Sequence, residues 1–84
     1  MLDYEVLITD EILSIRNVSK RDRQQILSFI DSLRIDPFQP GDYSETDHNG
    51  RMINLKIIGK YALTFWADHA VKEVKITKIR NADF

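Results

Sequence analysis

Two periodicities divide the chain. From Gly50 to Phe84 the sequence GRMINLKIIGKYALTFWADHAVKEVKITKIRNADF alternates apolar and polar residues through three strand-length runs. Gly59-Lys60 and Asp68-His69 separate the runs, and both pairs are turn formers. The pattern predicts strands over 51–58, 60–67 and 72–79. Residues 3–9, DYEVLIT, alternate in the same way and predict a first strand. Between these strands the period lengthens. Ile26, Phe29, Ile30 and Leu33 fall at i, i+3, i+4 and i+7, the apolar stripe of a helix over 20–35. Ser19 opens that helix with Asp22 three residues on, a variant of the capping box. Pro37 closes it, because the residue before proline is pushed out of the helical region. A shorter helix is expected over 10–17, with Thr9 as its N-cap, Asp10 and Glu11 in its first turn and Ile12 and Ile15 facing the core.

Residues 36–42 read as a loop and 43–47 as a short polar strand. Asn49-Gly50 is a hairpin signal of the type I′ kind, in which both central residues take positive φ. Alternation assigns faces. Ile53, Leu55 and Ile57 share one face with Tyr61, Leu63, Phe65, Val74 and Ile76, and that face is expected to lie under the helices. Ile79 is out of phase, which predicts a bulge or a strand end. The opposite face then carries Met52, Asn54, Lys56, Ile58, Ala62, Thr64, Trp66, Lys75 and Thr77. The fold class expected is α+β, two N-terminal helices packed on one face of a small twisted antiparallel sheet, with residues 1–84 as a single domain.

Composition narrows the chemistry. With no cysteine, neither a disulfide framework nor a thiolate metal site can form. No apolar run reaches membrane-spanning length and the first 20 residues lack a signal-peptide layout, so a cytoplasmic setting without membrane contact is expected. The net charge of -1 conceals an asymmetry: residues 1–42 hold five Lys/Arg against eight Asp/Glu, and residues 43–84 hold seven against five. A basic sheet attracts phosphates or an acidic protein, although Lys on exposed strands also serves simply to guard edges. His48 and His69 sit beside turn residues and read as solvated loop side chains, with no partners at metal-ligand spacing. No phosphate-binding glycine loop and no serine nucleophile motif is present. Glu45, Asp47 and Asp68 read as turn or loop acids. No cofactor or metal is expected.

The element order, with GRMINLKIIGKYALTFWAD as its most specific stretch and ITKIRNADF closing the chain, resembles the RelE/ParE toxin superfamily of type II toxin–antitoxin systems, over essentially the whole length. The resemblance implies a toxin neutralised by an antitoxin protein, as a hetero-oligomer. In the RelE branch it implies ribosome-dependent mRNA cleavage, in which a 2′-hydroxyl attacks the adjacent phosphate. That reaction needs help in deprotonating the hydroxyl, a cation for the charged phosphorane and a donor for the leaving 5′-oxygen. Carried over by position, Lys56 matches a basic residue of the strand before the turn. The Tyr-Arg that opens the middle strand is Tyr61-Ala62 here, so the phosphate-holding arginine is missing. After the last strand the basic pair is replaced by Arg80-Asn81-Ala82, and the terminal aromatic, Phe84, lacks a hydroxyl. The catalytic candidates are therefore Lys56, Arg80 and Arg51, with Trp66, Lys75, Lys78 and Lys60 as RNA- or partner-binding candidates. The alternative is a binding module on the same fold, either a gyrase inhibitor of the ParE type or a decayed toxin that only pairs with its antitoxin.

Overall fold

A computed structural model describes residues 4–8 and 18–82. The elements are β1 (Glu5–Ile8), α1 (Lys20–Ile35), β2 (Tyr43–Thr46), β3 (Met52–Ile58), β4 (Tyr61–Asp68) and β5 (Glu73–Asn81). The predicted helix over 10–17 and Phe84 lie outside the described residues. Helix α1 begins where its cap dictates: Ser19 Oγ accepts the Asp22 N–H at 3.1 Å, and Asp22 places a carboxylate at the positive end of the helix dipole. It ends at Asp36, whose backbone (φ -131°, ψ 85°) has left the helical region ahead of Pro37. Ile26, Ile30 and Leu33 form its buried stripe, and the Phe29 ring meets the Phe65 ring edge-on at 5.5 Å.

The sheet corrects the expected architecture. Among the described residues there is one helix, not two, and the sheet is five-stranded and mixed, in the order β1-β5-β4-β3-β2. β1 runs parallel to β5, with Val6 opposite Val74 and Ile8 opposite Ile76. This pairing joins the two ends of the chain. Local alternation carries no information about so distant a partner, so an antiparallel meander was the natural expectation for strands linked by short turns.

A second correction concerns β3. Gly59-Lys60 is a two-residue hairpin loop, with Ile58 opposite Tyr61. Positive φ occurs at Gly59 (58°) and not at Lys60, the pattern of a type II′ turn. This register puts Lys56 opposite Leu63 and Asn54 opposite Phe65. Cross-strand partners share a face, so Asn54, Lys56 and Ile58 lie on the helix side, and Ile53, Leu55 and Ile57 on the other. The core consists of Tyr4, Ile26, Ile30, Leu33, Ile58, Leu63, Phe65, Val74 and Ile76. Ile53 and Leu55, expected in it, are only half-buried on the helix-free face. The turn fixes register, and one residue of shift exchanges every side chain between faces.

The Asn49-Gly50 hairpin also differs from expectation. Asp47 N–H donates to Arg51 O at 2.9 Å and Gly50 N–H to Asp47 O at 3.0 Å, and only Gly50 has positive φ (80°). This is the three-residue loop in which a type I turn is followed by a left-handed residue.

Candidate nucleic-acid interface

The helix-free face is built around a bulge in β5. Thr64 pairs with Lys78 and Ala62 with Arg80, but Phe65 pairs with Ile76 and Trp66 with Lys75, so one extra residue, Thr77, is accommodated. Without it, positions 75, 77 and 79 would share a face. With it, Lys75, Lys78 and Arg80 line up on the helix-free face, and Ile79 turns inward to pack against the core. The predicted irregularity at Ile79 is therefore what gathers three cations in one row. The row spans about 17 Å at the usual rise of a strand.

Trp66 sits at one end of this row, half-buried, with the Arg51 guanidinium 4.4 Å and the Lys75 ammonium 4.8 Å from its ring centroid. Both cations are paired with carboxylates, and Asp68 and Glu73 lie on the same face as Lys75. Arg51 pairs with Asp47 at 3.5 Å, and Lys75 with Asp68 at 3.7 Å and Glu73 at 3.9 Å. Asp47 Oδ1 accepts the backbone N–H groups of Arg51 and Asn49, each at 2.9 Å. These amide bonds, the Arg51 one foremost, hold the Asp47 carboxyl below its ordinary range against the opposing effect of burial.

At the other end, a recess of about 120 Å³ is lined by Tyr43, Ser44, Glu45, Ile53, Leu55 and Arg80. Tyr43 and Glu45 are exposed on β2, directly opposite Leu55 and Ile53. The recess therefore combines a carboxylate, a phenol hydroxyl and a guanidinium over an apolar floor. Ala62, fully buried, is the cross-strand neighbour of Arg80. Directly opposite side chains in a sheet start about 5 Å apart, so Arg80 brings a guanidinium beside the position where the resemblance places one.

Arg51, Trp66, Lys75, Lys78 and Arg80 are thus brought to one face. Lys56 is not among them: it lies on the helix side, 5.7 Å over the Phe29 ring and paired with Asp42 at 3.6 Å. Lys60 is exposed in the β3–β4 turn. Glu45 and Tyr43 were not singled out as site residues by sequence, because a loop acid and a short polar strand carry no motif; only pairing with β3 places them near Arg80. His48 and His69 are both exposed, as expected. His69 nevertheless has partners, since its Nδ1 lies 2.7 Å from the Tyr4 hydroxyl and its ring stacks on Phe38 at 4.8 Å. Among the described residues no cluster of three metal-ligating side chains occurs, and no helix is long and apolar enough to cross a membrane.

No protein-family model matches the chain, and no curated protein sequence matches it. The structure does match a solved one, the crystal structure of the archaeal RelE–RelB complex from Pyrococcus horikoshii OT3. The TM-score is 0.80 at 18% identity, over 96% of this chain and 97% of that one. At so low an identity the likeness establishes architecture, and the architecture is that of a RelE-like fold.

Proposed function

We propose that this protein is the toxin of a type II toxin–antitoxin pair, acting on RNA through its helix-free sheet face and neutralised by an antitoxin that covers that face. The observation that carries this reading is the row Lys75, Lys78 and Arg80 beside Trp66, on a RelE-like fold. A basic track flanked by an aromatic is the arrangement that follows a single-stranded phosphate backbone. The finer reading is a ribosome-dependent mRNA endonuclease. In it, Arg80 and Lys78 meet the phosphate and stabilise the charge that develops on the phosphorane. The Glu45 carboxylate, which lines the same recess as Arg80, accepts the 2′-hydroxyl proton, and the Tyr43 hydroxyl, also in that lining, donates to the leaving 5′-oxygen. Lys56, on the other side of the sheet, takes no part.

Growth arrest on induction, relief by co-expressing the neighbouring gene's product, and mRNA cleavage on purified ribosomes test this reading. Arg80→Ala should lower cleavage by roughly 10²–10³, the usual loss when one oxyanion donor is removed. Glu45→Gln should lower it by about 10²–10⁴. Cleavage unaffected by both substitutions would remove the site assignment. The absence of an arginine at Ala62 favours the second reading, a non-catalytic binder of the same fold. Antitoxin binding without any cleavage would establish it.

A further inference from the structure

The pairing of β3 with β4 stops at Asn54 opposite Phe65, whereas β4 continues against β5 to Asp68 opposite Glu73. Beyond that last β3–β4 pair, the loop over residues 37–40 borders a cleft of about 380 Å³ whose lining includes Phe38, Gln39, Arg51, Asn54, Trp66 and His69. The volume falls in the range of small-molecule sites. Its chemistry is specific. Phe38 is 60% exposed although its ring is stacked on His69, with planes 13° apart, so an aromatic platform is held ready at the surface. The His69 ring is itself fixed by the Tyr4 hydroxyl at 2.7 Å. The Arg51 guanidinium, tied to Asp47 and lying over Trp66, presents a planar cation. Two side-chain amides, Gln39 and Asn54, are also in the lining. Gln39 Nε2 donates to Ser32 Oγ and Asp36 O, and Asn54 Oδ1 accepts the Gly41 N–H, so the Gln39 oxygen and the Asn54 amino group are the amide atoms left for a base. Unpaired bases are held by aromatic rings and guanidinium planes, and are read by amide donors and acceptors.

We propose that this cleft is a binding subsite for one unpaired nucleobase of a single-stranded RNA whose backbone runs along Lys75, Lys78 and Arg80. The inference rests on the RNA-directed reading above. The cleft opens where β3 and β4 part, lined by Arg51 and Trp66 from the helix-free face and by Asn54 from the helix side. Trp66 lies about four strand residues, or roughly 13 Å, from Ala62 along the cation row. A strand whose phosphate meets Arg80 therefore extends past Lys78 and delivers a neighbouring nucleotide here. The subsite is distinct from the Tyr43–Glu45–Arg80 recess and contributes affinity and base preference rather than chemistry.

Trp66 is the one tryptophan of the chain, so its fluorescence reports on the cleft directly. The full chain is titrated with each of the four ribonucleoside 5′-monophosphates, with a short single-stranded oligoribonucleotide and with ribose 5-phosphate. A saturable change is expected with the oligonucleotide and at least one monophosphate, and none with ribose 5-phosphate. Phe38→Ala should weaken that binding roughly five- to hundredfold, the loss typical of one base–aromatic stack. Arg51→Gln should also weaken it, and circular dichroism should show both variants folded. Saturation-transfer NMR on the base protons captures binding that leaves the fluorescence unchanged. An equal response to ribose 5-phosphate would reduce the cleft to an anion site and overturn the proposal. So would the absence of saturation into the millimolar range by both methods, or binding indifferent to Phe38→Ala and Arg51→Gln. If those results came with growth arrest still dependent on Arg80, the subsite would be wrong and the toxin reading would stand.

Discussion

The register of β3 decides which residues lie on the helix-free face and which hold the fold, and Ile58 tests it. Ile58 is 8% exposed and packs in the core, whereas Leu55 is half-buried on the helix-free face. Ile58→Ala removes three carbons, about 2.4 kcal/mol of transfer free energy at ~0.8 kcal/mol each. The cavity left behind raises the cost to about 3 kcal/mol, within the 2–5 kcal/mol typical of such truncations. For a chain of this length that lowers Tm by roughly 12–24 °C. Leu55→Ala loses only partial burial and should cost about 1 kcal/mol. Urea denaturation followed by circular dichroism measures both. The alternation reading predicts the reverse order, with Leu55 in the core and Ile58 outside. A Leu55→Ala penalty exceeding that of Ile58→Ala would refute the register, and with it the placement of Lys56 away from the basic row.

Further outcomes follow from particular contacts. Lys56→Ala should leave growth arrest intact, because Lys56 lies on the helix side beside Phe29, while Arg80→Ala abolishes it; the induction assay compares the two. Gly41→Ala should destabilise by about 1–3 kcal/mol in the same denaturation experiment, since a Cβ there would lie 2.6 Å from Leu55 O and 2.8 Å from Leu55 N, and backbone atoms cannot give way. Asp47 has a carboxyl pKa lowered by amide hydrogen bonds, so its contribution is present above the unfolded carboxylate pKa of about 4 and disappears as pH falls through the lower folded value. The stability gap between wild type and Asp47→Asn, followed by denaturation across acid pH, should therefore be full at neutrality and close in that window. Ser19→Ala should cost about 0.5–2 kcal/mol through loss of the helix cap, measured by thermal denaturation.

The sequence alone determined the local structure. The stripe of Ile26, Ile30 and Leu33, the Ser19 cap and the Asp36-Pro37 stop depend on neighbours within one or two helical turns, and α1 spans Lys20–Ile35 as its pattern requires. Strand positions and the irregularity near Ile79 were legible for the same reason, and so was the collection of basic residues toward the C-terminal half. Register was legible in principle, because a two-residue loop at Gly59-Lys60 forces Ile58 opposite Tyr61. The alternation of Ile53, Leu55 and Ile57 pointed the other way, since period-2 patterning shows that residues share a face without showing which face is covered. What only tertiary structure decided was everything that joins distant segments. The parallel pairing of β1 with β5 made the sheet mixed. The docking of β2 on β3 carried Tyr43 and Glu45 toward Arg80, and the loop over residues 37–40 brought Phe38 to His69 and the Trp66 cleft. These contacts span many residues, and no local pattern encodes them, because they form only once the chain has closed on its core.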